Sequence, residues 1–185
     1  MRLTSPRVKP LQDDALNEEQ KEIMKPLGRN GPVFNIFRSL INHPALFKNW
    51  LIFANYVLSR RSTLSARDRE IAILRIGWLC QAEYEWAQHV IIGKAAGITD
   101  AEIDRIAAGP DAPGWDKYDA AVIRATDELH KDKIISDATW QTLSEKYTEQ
   151  QRMDLVFAVG QYNLVSMALN TFGVQLDPGL KGFKK

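Results

Sequence analysis

Apolar residues recur at helical spacing along almost the whole chain. Phe34, Phe37 and Leu40 stand at i, i+3 and i+6, and similar spacing runs through residues 66–80 and 82–96. No segment alternates apolar and polar residues between hairpin signals, as a half-buried strand would. The pattern therefore predicts an all-α fold, a single-domain helical bundle of about eight helices.

Capping residues mark several of the predicted helix boundaries. Pro44 fits the first turn of a helix, where its missing N–H costs nothing. Thr99 with Glu102, and Thr148 with Gln151, have the spacing of capping boxes. The second pair predicts the start of a long, strongly apolar helix.

The chain is long enough for one domain but too short for two independent ones. Residues 1–16 are polar and contain two prolines, which predicts an N-terminal arm that is ordered only by docking. Residues 17–185 form the predicted single domain. The helices predicted over 66–80 and 82–96 are apolar on more than one face, which favours the middle of a bundle or a subunit interface, and thus a homo-oligomer.

The most apolar stretch spans residues 155–174 and is about as long as a membrane span. Gln161, Asn163, Ser166 and Asn170 would bring unsatisfied hydrogen-bonding groups into the hydrocarbon, which costs energy on the order of kcal/mol each. We therefore expect a buried helix of a soluble protein and no membrane partner. Asn163, Ser166 and Asn170, at i, i+3 and i+7, form a polar stripe that could bond packed helices together or line a pocket.

Charge and cysteine content exclude several classes of function. With 24 basic and 23 acidic residues the formal charge is +1, so the chain lacks the footprint that selects nucleic acid. The start, MRLTSPRVKP, lacks the apolar stretch of a secretory signal, which favours a cytoplasmic protein. The one cysteine, Cys80, cannot form an intramolecular disulfide, as is usual in a reducing compartment.

The segment CQAEYEWAQH, residues 80–89, holds the main candidate chemistry. Glu85 and His89 stand at i and i+4, so they share one helix face and can touch. A carboxylate beside an imidazole favours the imidazolium and orients it, which suits general acid/base catalysis. Such pairs are also common on solvated surfaces, but the bulky neighbours Tyr84 and Trp86 favour a position at the edge of the core.

Glu70 is a second candidate, within the segment ARDREIAILR. Arg67 and Arg75 lie close enough on the same helix to form a structural ion pair with it. Charged residues around the apolar run IAIL equally indicate a polar pocket between helices. Both interpretations are open from the sequence.

A thiol site and a metal site are both less favoured. Cys80 follows an apolar run, and its nearest charges along the chain, Glu83 and Glu85, are acidic and disfavour a thiolate, so we expect a structural cysteine. Zinc needs three or four protein ligands, and His43 and His130 have no matching spacing. We expect no metal and no cofactor.

Residues 45–175 resemble the carboxymuconolactone decarboxylase and alkylhydroperoxidase D superfamily. The most specific part is ARDREIAILR followed by YEWAQHV. The resemblance implies a helical bundle of the alkylhydroperoxidase D type that assembles into trimers or hexamers, with dimers as an alternative, and with sites near subunit contacts. Members of the peroxidase branch carry a CxxC pair, then three intervening residues and a histidine, with a glutamate upstream. In that register the two cysteines fall on Ala82 and Glu85, the histidine on His89 and the upstream glutamate on Glu70, which leaves Cys80 outside the motif.

The resemblance therefore implies the decarboxylase-like branch, which acts on an unsaturated lactone acid of aromatic catabolism. It implies that His89 is the general acid/base, Glu85 its orienting partner and Glu70 a second proton relay. For the substrate it suggests Arg75 or Arg67 as an anion anchor. Tyr84 and Trp86 would shape the site, Phe34 and Phe37 would form a lid, and Asn163 would add one polar contact. Three alternatives stay open, namely hydrolase or isomerase chemistry on a lactone or enol, a peroxidase that uses Cys80 with an external thiol, and a non-catalytic ligand-binding oligomer.

Overall fold

The computed structural model describes residues 3–183, apart from the side chain of Asn30. Within this range the chain forms nine α-helices and two short 3-10 helices, Asp13–Ala15 and Leu27–Asn30, and contains no strand. The α-helices are α1 Glu18–Met24, α2 Asn35–Leu40, α3 Pro44–Leu58, α4 Ala66–Leu79, α5 Glu83–Ala95, α6 Asp100–Ala108, α7 Lys117–Lys131, α8 Asp137–Ser144 and α9 Glu149–Phe172. The predicted all-α fold is confirmed, and eight of the nine helices have seven or more residues.

Helix α4 is the centre of the bundle and packs against α5, α6, α7 and α9. Ten consecutive residues of α4, 68–77, are buried, which explains why its sequence is apolar on more than one face. Ile71, Ile73 and Leu74 are fully buried, and each contributes on the order of 2 kcal/mol by leaving water. A charged residue on this helix, such as Glu70, must therefore find its partners inside the protein.

A tight turn folds α5 back onto α4. Gln81 adopts a left-handed conformation (φ 51°), and the N–H of Ala82 donates to the carbonyl of Gly77 over 2.9 Å. At the other end of α5, a Cβ on Gly93 would lie only 3.2 Å from the side chain of Leu74, so the missing side chain permits a close approach. This close packing brings α5 residues within reach of α4 side chains.

The predicted capping boxes are present at the starts of α6 and α9. The side chains of Thr99 and Thr148 accept from the N–H groups of Glu102 and Gln151, whose side chains accept in return. The sequence therefore placed both helix starts correctly.

The described part of the N-terminal arm lies against the ends of α9 and α2. The N–H groups of Arg7 and Val8 donate to the carbonyl of Phe172, and that of Leu11 donates to the carbonyl of Arg38. Gly173 ends α9 in the left-handed conformation, and a Cβ there would lie 2.9 Å from the carbonyl oxygen of Ser5. Gly173 is thus needed for two reasons: the left-handed turn that ends α9, and the close contact of the N-terminal arm at Ser5.

The polar stripe of α9 bonds this helix to the end of α4. The Cys80 thiol donates to Oδ1 of Asn163 over 3.2 Å, and Nδ2 of Asn170 donates to the Cys80 carbonyl over 2.9 Å. These contacts favour the interpretation that the stripe joins packed helices. No helix in residues 3–183 is both long enough and apolar enough to cross a membrane.

Candidate active site

A cavity of about 150 Å³ lies between α2, α3, α5 and α9. One side is apolar and aromatic, formed by Phe34, Ile36, Phe37, Trp50, Leu51, Ala54, Leu58, Ile92 and Val165. The other side carries the polar groups, namely Asn55, Tyr84, Glu85, Gln88, His89, Gln161 and Tyr162. A concave, mostly apolar space with a few convergent polar groups is the usual form of a small-molecule site.

His89 is held between two carboxylates at the polar side of the cavity. Its Nδ1 lies 2.6 Å from Oε2 of Glu70, which reaches across from α4. Its Nε2 lies 2.9 Å from Oε1 of Glu85, one turn earlier on α5. The second contact has ion-pair distance, but its geometry is not that of a hydrogen bond, since Oε1 of Glu85 is left without a hydrogen-bond partner among the described residues. The imidazole is therefore fixed through Nδ1, while Nε2 and the Glu85 carboxylate keep bonding capacity on the cavity side.

The two carboxylates decide the charge of His89. Burial alone would lower the pKa of His89, but the negative charges and contacts of Glu70 and Glu85 outweigh it and raise the pKa to about 10. His89 is thus an imidazolium at neutral pH, which can give a proton to a bound molecule but cannot accept one. Glu70 is fully buried behind the ring, so this charge arrangement lies inside the protein.

Arg69 supplies a second buried positive charge. It is 7% exposed, and its Nε lies 3.8 Å from Oε1 of Glu70; neither atom has a hydrogen-bond partner in the described part of the chain. Two carboxylates thus lie beside one imidazolium and one guanidinium, so the cluster is neutral overall. Because the charges compensate each other, burying the cluster destabilises the fold far less than burying an unpaired charge would.

Tyr162 of α9 packs the edge of its ring against His89. The ring centroids are 4.8 Å apart at an interplanar angle of 79°. Burial, followed by the negative charges of Glu85 and Glu70, raises the pKa of Tyr162 well above its ordinary value. Tyr162 therefore stays a neutral phenol that lines the cavity beside the imidazolium.

A hydrogen-bond network around Asp177 holds the wall of the cavity. Its Oδ2 accepts from the Tyr84 hydroxyl over 2.5 Å and from Nε2 of Gln88 over 2.7 Å, and its Oδ1 accepts from the N–H of Asn35 over 2.9 Å. Burial and the bond to Asp177 raise the pKa of Tyr84, which stays protonated. Asp177 thus ties the start of α2, and with it Phe34 and Phe37, to α5.

Sequence comparison finds a match to one family model. The model of the carboxymuconolactone decarboxylase family matches residues 44–128, which include Glu70, Glu85 and His89. This part of the chain, rather less than half of it, is similar to that family. None of the curated proteins compared with the chain matches it.

Several solved structures share the fold over nearly the whole chain. An uncharacterised peroxidase-related protein with an AhpD core, from Ralstonia eutropha JMP134, is 18% identical with a TM-score of 0.81, over 94% of this chain and 93% of that one. A peroxidase-related protein from Silicibacter sp. TM1040 is 14% identical with a TM-score of 0.74, over 96% and 92%. The debrominase Bmp8, in complex with 2,3,4-tribromopyrrole, is 12% identical with a TM-score of 0.69, over 95% and 94%. At these identities the likeness establishes the fold alone.

The two arginines predicted as anion anchors, Arg75 and Arg67, do not line the cavity. Arg75 donates to both carboxylate oxygens of Asp127, over 2.5 and 2.9 Å, and to the carbonyls of Ile106 and Ala107. Its guanidinium thus joins α4 to α7 and to the end of α6 through four hydrogen bonds. Arg67 is likewise bound to the carboxylates of Asp119 and Glu102.

Two further predicted substrate contacts, Trp86 and Asn163, also lie outside the lining of the cavity. Trp86 packs against Trp78 and Phe183, with ring centroids 5.2 and 5.6 Å apart. Asn163 accepts from Cys80, so it joins α9 to the end of α4. Tyr84, Phe34 and Phe37, by contrast, do line the cavity.

Cys80 has surroundings that its position in the sequence did not reveal. Besides Asn163, its Sγ lies 3.9 Å from Nδ1 of His130, in the last turn of α7. The acidic neighbours in the sequence thus do not describe the thiol's surroundings completely. Cys80 is not among the residues that line the cavity.

Sequence reasoning missed several residues of the site, including Arg69, Gln88, Tyr162 and Asp177. Arg69 adjoins Glu70 in the motif ARDRE, which is the one signal that could have pointed to it. Tyr162 and Asp177 lie on α9 and the C-terminal segment, and no spacing relates them to His89. Among residues 3–183, no three His, Cys, Asp or Glu side chains are arranged to hold a metal ion.

Proposed function

We propose that this protein is a lyase-type enzyme that uses His89 as a general acid on a small carboxylated lactone or a related enolisable acid. The observation that carries the proposal is the buried imidazolium between Glu70 and Glu85 at the edge of the cavity. Glu85 orients the ring from the cavity side, and Glu70 holds it from behind. No redox step and no metal-bound intermediate is part of the proposal.

Decarboxylation fits a resting imidazolium. Cleavage of the bond between the ring carbon and the carboxylate releases carbon dioxide and leaves the electron pair on the substrate as a dienolate. The positive charge of His89 stabilises that developing anion, and the imidazolium then donates its proton to carbon. The neutral imidazole regains a proton from water through Glu85, so the cycle consumes one proton and one carboxylate and yields carbon dioxide and the protonated product.

The cavity limits the size and shape of the substrate. At about 150 Å³ it is smaller than the roughly 300 Å³ at which pockets for drug-sized ligands begin. Phe34, Phe37 and Trp50 offer flat surfaces to a small ring, while Gln161 offers an amide group to its oxygens. The similar fold of a debrominase that binds 2,3,4-tribromopyrrole is consistent with a substrate of one small ring.

A dithiol peroxidase mechanism does not suit this chain. Disulfide cycling needs an attacking and a resolving thiol, and the sequence has only Cys80. Glutamate and histidine can move protons but not electrons. A role in aromatic catabolism and a cytoplasmic location are further parts of the proposal, and an antioxidant role would need an external thiol at Cys80.

Carbon dioxide release from carboxymuconolactone and simpler carboxylated lactones tests the proposal. The wild type should turn over at least one of them, and His89→Gln should lose about 10²-fold or more in kcat, the usual contribution of a general acid. Cys80→Ser is the matched control and should keep full activity. Undiminished turnover in His89→Gln, or peroxide reduction that depends on Cys80 without lactone turnover, would contradict the proposal.

A further inference from the structure

Helix α9 exposes an uncharged apolar stripe to solvent. From residue 153 to the end of the helix, its exposed positions are Met153, Phe157, Gly160, Leu164, Met167 and Thr171. Residues 155–172 contain no charged side chain at all. We call the first five of these positions the α9 stripe; they recur at intervals of four, three, four and three residues, which keeps them on one side of the helix.

The α9 stripe continues onto α3. Phe53 and Phe157 meet edge to face with ring centroids 6.1 Å apart. Beyond them, Leu46 joins Leu164 and Met167 around an apolar hollow of about 390 Å³ on the outside of the bundle. The two helices thus present one continuous apolar surface.

The surface is large enough to form the core of a protein interface. Leu46, Met153, Phe157, Leu164 and Met167 are each between 50% and 56% exposed. If a large side chain carries about 200 Å², these five expose roughly 500 Å², near the upper limit for a patch on a monomer. A standard interface buries about 800 Å² per partner, so this patch with a polar rim would suffice.

We infer that a second copy of this chain covers the stripe, with the two α9 helices antiparallel across a twofold axis near Gly160. The spacing is nearly symmetric about Gly160, so an antiparallel copy sets Met153 opposite the partner's Met167 and Phe157 opposite the partner's Leu164. A surface that matches itself in this way is what a twofold dimer requires. A lipid surface would favour flanking basic residues, and α9 has no lysine or arginine after Arg152.

Gly160 is the observation that favours a helix as the occupant. Glycine in the middle of a helix is unfavourable relative to alanine, and a Cβ at Gly160 would meet nothing within 4 Å in this chain. The packing within one copy therefore does not explain the glycine. Close approach of a second backbone would explain it.

The dimer would also complete the walls of the cavity. Trp50 and Val165 line both the apolar hollow and the candidate active site, and Gln161 lines both that site and the groove beside Gly160. A second copy on the stripe would shield these shared walls from solvent. The inference about the interface itself does not depend on the proposed reaction.

Sedimentation velocity of the full chain tests the inference. The wild type should sediment as a dimer or as a larger assembly built from it, whereas Gly160→Leu and Phe157→Glu should each weaken association at least tenfold. Both positions are exposed, so circular dichroism and thermal unfolding should show that the variants stay folded. A wild-type monomer, or an assembly that both substitutions leave unchanged, would overturn the inference.

Cross-linking tests the position of the twofold axis. In a Cys80→Ser background, Gly160→Cys should form a disulfide-linked dimer under mild oxidation, because residues at the axis meet their own copies. Gln141→Cys, exposed on α8, is the matched control and should not cross-link. Equal cross-linking at both positions, or wild-type monomer that floats with phosphatidylcholine vesicles, would overturn the inference.

Discussion

Nδ1 of His89 lies 2.6 Å from Oε2 of Glu70, although 19 residues and a helix boundary separate them. Since Oε1 of Glu85 lies 2.9 Å from the other ring nitrogen, the imidazole lies between two carboxylates and is held through Nδ1. Its orientation and its charge are thus set by the packing of α4 against α5. The chemistry of the site depends on that packing as much as on the residue types.

Glu70→Gln should destabilise the protein and lower its activity. The substitution leaves a buried imidazolium with one carboxylate fewer, and breaking a buried pair costs about 3–5 kcal/mol. Urea unfolding at pH 7 measures this loss. Glu18→Gln is the control, since the Glu18 side chain is 89% exposed beside Lys21 and should contribute less than about 1 kcal/mol. Equal effects of the two substitutions would mean that Glu70 and His89 do not form a charged pair.

Stability should fall as the pH rises through the alkaline range. The pKa of His89 is about 10 in the folded chain and about 6.5 when unfolded, so the folded state binds more protons between these values. The contribution of His89 is complete below about pH 6.5 and is lost as the pH approaches 10. Urea unfolding at pH 6, 8 and 10 measures the slope, which His89→Gln should reduce. A slope that is the same in both proteins would rule out the raised pKa.

Activity should follow the same protonation. A general acid works only while it holds its proton, so kcat should be flat through neutral pH and fall with an apparent pKa near 10. A kcat that instead rises with pH through 6 to 7 would indicate a base and would exclude the imidazolium as the proton donor.

The sequence predicted the fold and part of the site because those features are local. Glu85 and His89 share a helix face, and capping pairs such as Thr99 with Glu102 lie three residues apart. The partners of the arginines are not local, since Arg75 meets Asp127 at a distance of 52 residues. Helical spacing cannot tell which arginine of α4 turns to α7 and which stays beside Glu70. For the same reason the sequence could not reveal His130 beside Cys80, which lies 50 residues away.

Arg75→Lys should reduce stability without changing the affinity for substrate. Lysine cannot reproduce the two parallel bonds to Asp127 together with those to the carbonyls of Ile106 and Ala107, so we expect a loss of about 2–3 kcal/mol. Arg124→Lys is the matched control, because Arg124 is 44% exposed in its pair with Asp111 and should contribute less than about 1 kcal/mol. A rise in KM without loss of stability would restore Arg75 as an anion anchor.

Asp177→Ala should loosen the wall of the cavity and raise KM while kcat changes little. The substitution removes one acceptor each from the Tyr84 hydroxyl, the Gln88 amide and the N–H of Asn35, and a buried donor left without its partner costs about 1–3 kcal/mol. Asn35 is the first residue of α2, and Phe37 of the same helix lines the cavity. Without the bond from Asn35 to Asp177, α2 should move away from the cavity more often.

Hydrogen exchange at α2, residues 35–40, measures that opening directly and separates it from a general loss of stability. Asp14→Ala, at an exposed carboxylate, should change neither exchange nor KM. If Asp177→Ala left α2 protected but lowered kcat, Asp177 would have to act on the chemistry through Tyr84 rather than through the position of the wall. The burial of Tyr84 and its raised pKa argue against that outcome, because a phenol that keeps its proton can position a neighbour but cannot serve as a base.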